Sequence, residues 1–293
     1  MSKTRCTLYA LAVPILYFVI QVIVTSAAMI AVMVSRLGEI TVIAGDEGLM
    51  ELVNGIILEA LEYTMTLGVI SAVIFVGVML LIHRKRNMWQ DVRLVPPEGG
   101  FGFAVAMAAA AGIALNLASS ALISALPLPS GMMEQYNQII EATLGGNPVI
   151  AALGTCLIIP FAEELIFRGF TQRFLSVSMS AWMACVTQAL IFGLFHGNMP
   201  QSAYAFAAAM ALGMLYMWTK SLWVPIAFHI AYNTSSYGLD AALTAIYGEG
   251  EPSQTAWALM TAVGGTVAVI CVHSVYKRFK PAPTSPSSGT RLP

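Results

Sequence analysis

The stretch Pro160-Phe-Ala-Glu-Glu-Leu-Ile-Phe-Arg-Gly169 places two adjacent carboxylates inside an otherwise apolar segment. A charged side chain at bilayer depth costs roughly 2.5–3.5 kcal/mol on insertion scales, so such residues mark functional positions. On a helix, Glu164 and Arg168 lie on one face, whereas Glu163 points about 100° away. The stretch therefore predicts an ion pair between Glu164 and Arg168 and leaves Glu163 free for chemistry. The alternative is an interfacial loop that carries both glutamates.

The composition around this stretch is typical of a polytopic membrane protein. Hydrophobic residues make up 58% of the 293 positions and charged residues only 10%, which is outside the usual range of soluble domains. A net charge of −1 provides no basic patch for nucleic acid. The four cysteines are scattered without the spacing of a metal site or a disulfide framework. We therefore expect an all-α bundle in a lipid bilayer, with no nucleic-acid partner.

Apolar runs of roughly the length that crosses a bilayer core, about 20 residues, recur along the chain. They predict about eight transmembrane helices, at 8–34, 63–82, 101–126, 149–174, 181–198, 201–219, 222–238 and 257–275. The first run is uncharged from Cys6 to Ser35, which is too long for a signal-peptide core, so we expect it to be a retained span. Everything between the first and last spans should pack as one helical domain.

The basic residues indicate the orientation of the chain, because cytoplasmic loops carry an excess of Lys and Arg. Thirteen of the fourteen fall in cytoplasmic segments if both termini are cytoplasmic: Lys3, Arg5, Arg84, Lys85, Arg86, Arg93, Arg168, Arg173, Lys220, Lys277, Arg278, Lys280 and Arg291. Arg36 is the exception. The sequence thus predicts a multi-pass cell-membrane protein with both termini in the cytoplasm.

Two further motifs place polar residues on later apolar runs. Phe192-Gly-Leu-Phe-His196 closes the fifth run, and His229-Ile-Ala-Tyr-Asn233 lies inside the seventh. His229 and Asn233 share one helical face, so an imidazole and an amide can reach the same point. Taken singly, each motif also fits a structural role, either as an interfacial histidine or as hydrogen bonding between helices.

Together, Glu-Glu-x-x-x-Arg, Phe-x-x-x-His and His-x-x-x-Asn resemble the type II CAAX prenyl protease and bacteriocin-processing (CPBP, or ABI) family of intramembrane proteases. Each motif lies on its own hydrophobic segment, in this order, and the resemblance covers about residues 149–240. It implies an intramembrane endopeptidase. Its expected partners are the bilayer and a membrane-associated peptide or protein substrate, lipidated or not.

The resemblance also implies roles for individual side chains. Four residues would be catalytic: Glu163, His196, His229 and Asn233. Glu164 and Arg168 would support them through an ion pair. Glu163 with His196 would activate a water. His229 with Asn233 would stabilise the oxyanion of the tetrahedral intermediate. We expect the four catalytic side chains to face one cavity.

Metal dependence stays open at this point. The sequence contains no His-Glu-x-x-His motif. Glu163, His196 and His229 are suitable ligands for a Zn²⁺ site made of two histidines and one carboxylate. The same residues can also act without a metal, with Glu163 as the base.

Two functions from other classes remain as alternatives. Intramembrane Glu and His residues also relay protons in transporters, although no pair of interrupted segments suggests an inverted repeat. A non-catalytic membrane scaffold is the other alternative, and here every motif position holds a chemically competent residue.

The motifs suggest a division of the chain into four parts. Residues 1–148 would form N-terminal transmembrane helices and loops, 149–240 the catalytic core, 241–280 the last transmembrane helix, and 281–293 a disordered tail rich in Pro and Ser. Residues 36–62 carry several acidic residues, which predicts a partly helical loop near the membrane surface.

The fourth run presents a problem of depth. At about 1.5 Å per residue, Glu163 lies ~7 Å before Arg168, while His196 lies ~22 Å along the fifth run. Straight full-length spans would place Glu163 and His196 at different depths. The conflict eases if the fourth helix continues past Arg168 to about Phe174, with Arg168 held inside the protein by Glu164. We therefore predict a long fourth helix, kinked at Pro160, with the site buried in the bilayer and reached through a water-filled cavity.

Overall fold

The apolar runs form helices in the structure, a computed structural model that describes residues 2–36, 50, 53, 55–57, 61–248 and 250–280. In chain order the described helices are α1 (Lys3–Ser35), α2 (Thr64–Ile82), α3 (Met88–Asp91), α4 (Phe101–Ala125), α5 (Ser130–Leu144), α6 (Pro148–Leu175), α7 (Ala181–Phe195), α8 (Met199–Thr219), α9 (Trp223–Tyr247) and α10 (Gln254–Phe279). Eight of them coincide with the predicted runs, and α3 and α5 are additional. The predicted all-α class is confirmed.

Within the described residues, five helices are long and apolar enough to cross a membrane: α1, α2, α4, α6 and α10. The predicted class of multi-pass membrane protein is thus confirmed, whereas the count of eight spans is not. Helix α7 is apolar but has only 15 residues. Helix α9 contains His229, Asn233 and Asp240, polar residues that lower its hydropathy.

Helix α4 packs closely against α9 and α10 because small residues line the crossings. A side chain on Gly112 would collide with the backbone carbonyl of Phe228 on α9. A side chain on Gly264 of α10 would collide with the backbone at Ala114 of α4. Without a hydrophobic driving force between helices in lipid, close backbone approach of this kind stabilises the bundle through van der Waals contact.

Helix α6 alternates between α-helical and π-helical turns. Its π-helical segments are Gly154–Ile158 and Leu165–Gln172. The predicted length is confirmed, because the helix continues past Arg168 and ends at Leu175. Where a kink at Pro160 was predicted, the structure shows the first π segment directly before it, with the Ile159 N–H bonded to the Gly154 carbonyl five residues back. Such π turns accommodate a break in the regular hydrogen-bond ladder, which proline imposes.

The second π segment, Leu165–Gln172, lies at the centre of the bundle. All eight of its residues are buried. A helix on the lipid-facing side of a bundle exposes one face, so burial all round requires neighbours on every side. Helices α1, α7 and α8 are among these neighbours. Glu164, which directly precedes this segment, is therefore fully buried, and its neighbour Glu163 is partly exposed.

The predicted division of the chain into 1–148, 149–240, 241–280 and 281–293 stays a prediction. The tail 281–293 and most of the predicted surface loop 36–62 lie outside the described residues. Contacts between α4 and both α9 and α10 cross the proposed boundaries at 148 and 240.

Two adjacent glycines test the packing of α10 on α4. Gly264→Ala should lower the melting temperature of the detergent-solubilised protein, because the added methyl group meets the α4 backbone and overpacking costs about 1–3 kcal/mol. Gly265→Ala is the matched control, since a Cβ there has open space around it. Equal melting temperatures for the two variants would contradict the close helix crossing.

Candidate active site

Glu164 and Arg168 form a buried ion pair on α6. The Arg168 Nη1 donates to Glu164 Oε1 at 2.7 Å, and both side chains are 0% exposed. The structure thus contains the ion pair that the four-residue spacing predicted. Burying a charged pair requires further polar contacts to offset the lost hydration. These polar contacts come from two other helices, α8 and α9.

His229 of α9 links the two glutamates. Its Nδ1 lies 2.7 Å from Glu164 Oε1, and its Nε2 lies 3.7 Å from Glu163 Oε2. Because an ionised carboxylate can only accept, Nδ1 carries the hydrogen and donates it to Glu164. In the neutral ring, Nε2 then has the free lone pair and faces Glu163. Glu164 therefore holds both Arg168 and the orientation of His229.

Glu163 is the accessible member of the pair. Its side chain is 15% exposed, whereas that of Glu164 is 0% exposed. As the spacing predicted, Glu164 pairs with Arg168 and Glu163 is directed elsewhere. Only Oε1 of Glu164 is bonded; its Oε2 is buried without a hydrogen-bond partner among the described residues. Glu163 is therefore the carboxylate that a water or substrate can reach.

His196 follows α7 and lies near the other site residues without contacting them directly. Its Nδ1 donates to the Phe192 carbonyl at 2.8 Å, which leaves Nε2 as an acceptor. The Phe192 ring packs edge-on against His196, with centroids 4.8 Å apart, and against His229 at 6.0 Å. The two imidazoles thus share one aromatic neighbour.

Asn233 joins α9 to the first π segment of α6. Its Nδ2 donates to the Thr155 carbonyl at 2.8 Å. Of the four predicted catalytic residues, the structure brings Glu163 and His229 together and turns the Asn233 amide toward the α6 backbone. The predicted shared cavity and the oxyanion role stay predictions.

A buried polar layer that the sequence analysis did not identify supports Arg168. Arg168 Nη2 and Gln188 Nε2 both donate to the Ala209 carbonyl, at 3.3 and 3.0 Å. Gln172 Nε2 donates to the Gly213 carbonyl at 2.9 Å. The available signal was a polar residue every four positions at 164, 168 and 172, together with Gln188 in an apolar run. This layer ties α6 to α7 and α8.

The guanidinium of Arg168 also has an aromatic neighbour. Its Cζ lies 4.8 Å from the centroid of the Phe192 ring, within the range of a cation–π interaction. The same ring packs against both histidines. Phe192, the first residue of the Phe-x-x-x-His motif, therefore connects the ion pair to the imidazoles.

Both imidazoles are held as metal-binding histidines usually are, with Nδ1 bonded to a carboxylate or carbonyl and Nε2 free. However, across the described part of the chain, no three His, Cys, Asp or Glu side chains are placed to hold a metal ion. Glu163, His196 and His229 are thus not assembled as a metal centre. Zn²⁺ binding stays a prediction, and no reaction step is assigned to a metal.

The two glutamates should respond differently to neutralisation. Glu164→Gln should lower the free energy of unfolding by about 3–5 kcal/mol, because it leaves the buried Arg168 charge without its partner. Glu163→Gln should melt close to the unsubstituted protein, because Glu163 is partly exposed and the buried Arg168 keeps its bonded partner Glu164. Thermal unfolding in detergent measures both.

A double substitution separates loss of the ion pair from loss of packing. Arg168→Met in the Glu164→Gln background removes the stranded charge and should recover part of the lost stability. Equal melting of the two single variants, or no recovery in the double variant, would contradict the importance of this pair.

Comparisons with known proteins were consistent with the motifs. Residues 145–235 match the family model described as "Type II CAAX prenyl endopeptidase Rce1-like". The chain is similar to "Putative membrane peptidase YdiL" of Bacillus subtilis (strain 168), at 27% identity over 104 residues, which cover 36% of this chain and 42% of that protein. The aligned region thus spans less than half of the relative, and no solved structure matches the chain. The resemblance to the type II CAAX prenyl endopeptidases, predicted from the three motifs, is thereby confirmed over residues 145–235.

Proposed function

We propose that this protein is an intramembrane endopeptidase that hydrolyses peptide bonds of membrane-associated substrates. One observation carries the proposal: an accessible carboxylate, Glu163, lies beside an imidazole whose orientation is fixed by a second, buried carboxylate. An oriented base next to a proton-accepting histidine is what water activation requires. The family match and the name of the Bacillus relative support the peptidase class.

In the proposed reaction, Glu163 acts as the general base. It accepts a proton from a water molecule, and the resulting hydroxide adds to the scissile carbonyl carbon. The proton then passes to the leaving amine as the C–N bond breaks, which releases a carboxylic acid and an amine. His229 takes a different role from the oxyanion contact predicted from the sequence, because its Nδ1–H is bonded to Glu164. Its free Nε2 lies 3.7 Å from Glu163 and can hold the proton between the two transfers. Its Nδ1–H stays bonded to Glu164 throughout.

The other two predicted catalytic residues receive supporting roles. His196 has a free Nε2, because its Nδ1–H is engaged with the Phe192 carbonyl, and we assign this nitrogen to the same water. Asn233 uses one amide N–H for the Thr155 carbonyl. Its second N–H is the donor that we assign to the oxyanion.

The proposed substrate is a membrane-associated peptide or protein, with lipidated substrates included. The site lies deep in an apolar bundle, so a substrate must present its scissile bond from within or close to the bilayer. The proposed orientation keeps both termini in the cytoplasm of the cell, because the basic residues cluster in the segments on that side.

The proposed function predicts a specific change in the membrane proteome. A strain that carries Glu163→Gln should accumulate an uncleaved membrane-associated protein and lose its cleavage product, because a glutamine cannot accept the water's proton and the rate should fall at least about 100-fold. Quantitative membrane proteomics against the parent strain measures this. Glu134→Gln is the control, since Glu134 is exposed on α5.

Identical proteomes in the Glu163→Gln and parent strains, with both proteins expressed equally, would contradict the peptidase proposal. A proton flux that disappears in Glu163→Gln while the proteome stays unchanged would instead support the transporter alternative.

The proposed base mechanism also makes a prediction about metals. Because Glu163 activates the water directly in this mechanism, cleavage of the accumulated protein by purified enzyme should survive exhaustive chelation. The opposite result would be that chelation removes activity, that Zn²⁺ restores it, and that His196→Ala loses bound zinc. This result would support a Zn²⁺ site instead of direct activation by Glu163.

A further inference from the structure

Tyr17 of α1 carries a buried hydroxyl with no hydrogen-bond partner. The side chain is 1% exposed and is among the largest fully buried side chains of the described residues. Its hydroxyl lacks any partner there. Leaving such a group unpaired costs about 1–3 kcal/mol, and each exception of this kind requires an explanation.

The packing of α1 on α6 places Tyr17 level with the Glu-Glu pair. Two hydrogen bonds fix the antiparallel register of the two segments: Ser178 Oγ to the Lys3 carbonyl at 2.8 Å, and Thr171 Oγ1 to the Ala10 carbonyl at 3.2 Å. Seven residues forward along α1 thus correspond to seven residues back along α6. One further step of seven brings Tyr17 opposite Glu164 and its neighbour Glu163.

Aromatic contacts place Tyr17 on the Glu163 side of α6. The Tyr17 ring stacks on Phe195, with centroids 6.0 Å apart and an angle of 14° between the ring planes. Phe195 in turn packs edge-on against Phe167 of α6 at 5.7 Å. Phe167 follows Glu163 by four residues, a spacing that places two residues on one helical face. Tyr17 also interacts electrostatically with the Glu163 carboxylate.

Glu163 is the complementary unpaired group. Within the described part of the chain its carboxylate accepts no hydrogen bond, since its contact with His229 Nε2 is 3.7 Å long. Among the described residues, an unpartnered donor and a carboxylate without a hydrogen bond therefore lie at the same level of the bundle.

We propose that Tyr17 is a positioning residue for Glu163. Its hydroxyl donates a hydrogen bond to one carboxylate oxygen of Glu163 and leaves the other oxygen free to take the proton of the water. The inference rests on the proposed function of Glu163 as the base. Fixing the carboxylate removes unproductive orientations before the reaction, which is the usual contribution of a positioning contact.

The test is Tyr17→Phe, which removes only the hydroxyl. With the protein that accumulates in the Glu163→Gln strain as substrate, kcat should fall about 10- to 100-fold, while KM stays unchanged. The melting temperature should change little, because the partly exposed Glu163 carboxylate can bind water in place of the lost hydroxyl. A merely structural residue would not lose kcat while keeping its stability.

Tyr216→Phe is the matched control. Tyr216 is also buried, but its hydroxyl donates to the Val92 carbonyl at 3.3 Å. This variant should therefore melt at a lower temperature and keep its kcat.

Two results would overturn the role of Tyr17. An unchanged kcat in Tyr17→Phe would show that the hydroxyl does not act on Glu163. A lowered melting temperature with a raised KM would show that it serves packing. If Glu163→Gln is inactive in the same assay, either result rejects the role of Tyr17 and leaves the proposed function of Glu163 intact. If Glu163→Gln retains activity, the proposed function fails together with it.

Discussion

The buried pairing of Glu164 with Arg168 is the interaction on which the rest of the site depends. A guanidinium at the centre of an apolar bundle is tolerated only where its charge is paired and most of its hydrogens find partners. Among the described residues, the Nε–H of Arg168 has no such partner. Glu164 supplies the countercharge, the Ala209 carbonyl accepts a second hydrogen bond, and the Phe192 ring covers one side. The same Glu164 oxygen also receives the Nδ1–H of His229. Electrostatic stability and histidine orientation therefore depend on one carboxylate.

The π-helical turns of α6 connect this ion pair to the neighbouring helices. A π turn contains more residues than an α turn, so it rotates the side chains that follow it and is found frequently at functional sites. The first π segment offers the Thr155 carbonyl to Asn233 of α9. The second begins directly after Glu164 and is buried on all sides. The irregular helix thus contacts partners around its whole circumference. A regular helix of the same sequence would point the same side chains in other directions.

Features that depend on local sequence could be predicted, and those that depend on helix register could not. Run length gave the helix positions, and a four-residue spacing gave the contact between Glu164 and Arg168. The π turns could not be predicted, because Pro160 indicates that the helical hydrogen-bond ladder is interrupted but not whether a kink or a π turn results. The contact of His229 with both glutamates requires the relative position of two helices that are distant in sequence, which no spacing within one helix specifies. The count of spans also depends on tertiary contacts, since polar helices are accepted inside a bundle.

The combination of one arginine, two glutamates and one neutral histidine has a consequence for the overall charge of the centre. With both carboxylates ionised, the four side chains carry one net negative charge. In the proposed reaction, when a water gives its proton to this group, the hydroxide takes the negative charge and the side chains become neutral as a set. The total is the same before and after the transfer. The proposed reaction therefore only redistributes charge within the site, and no ion has to be carried across the low-dielectric interior for each proposed cleavage.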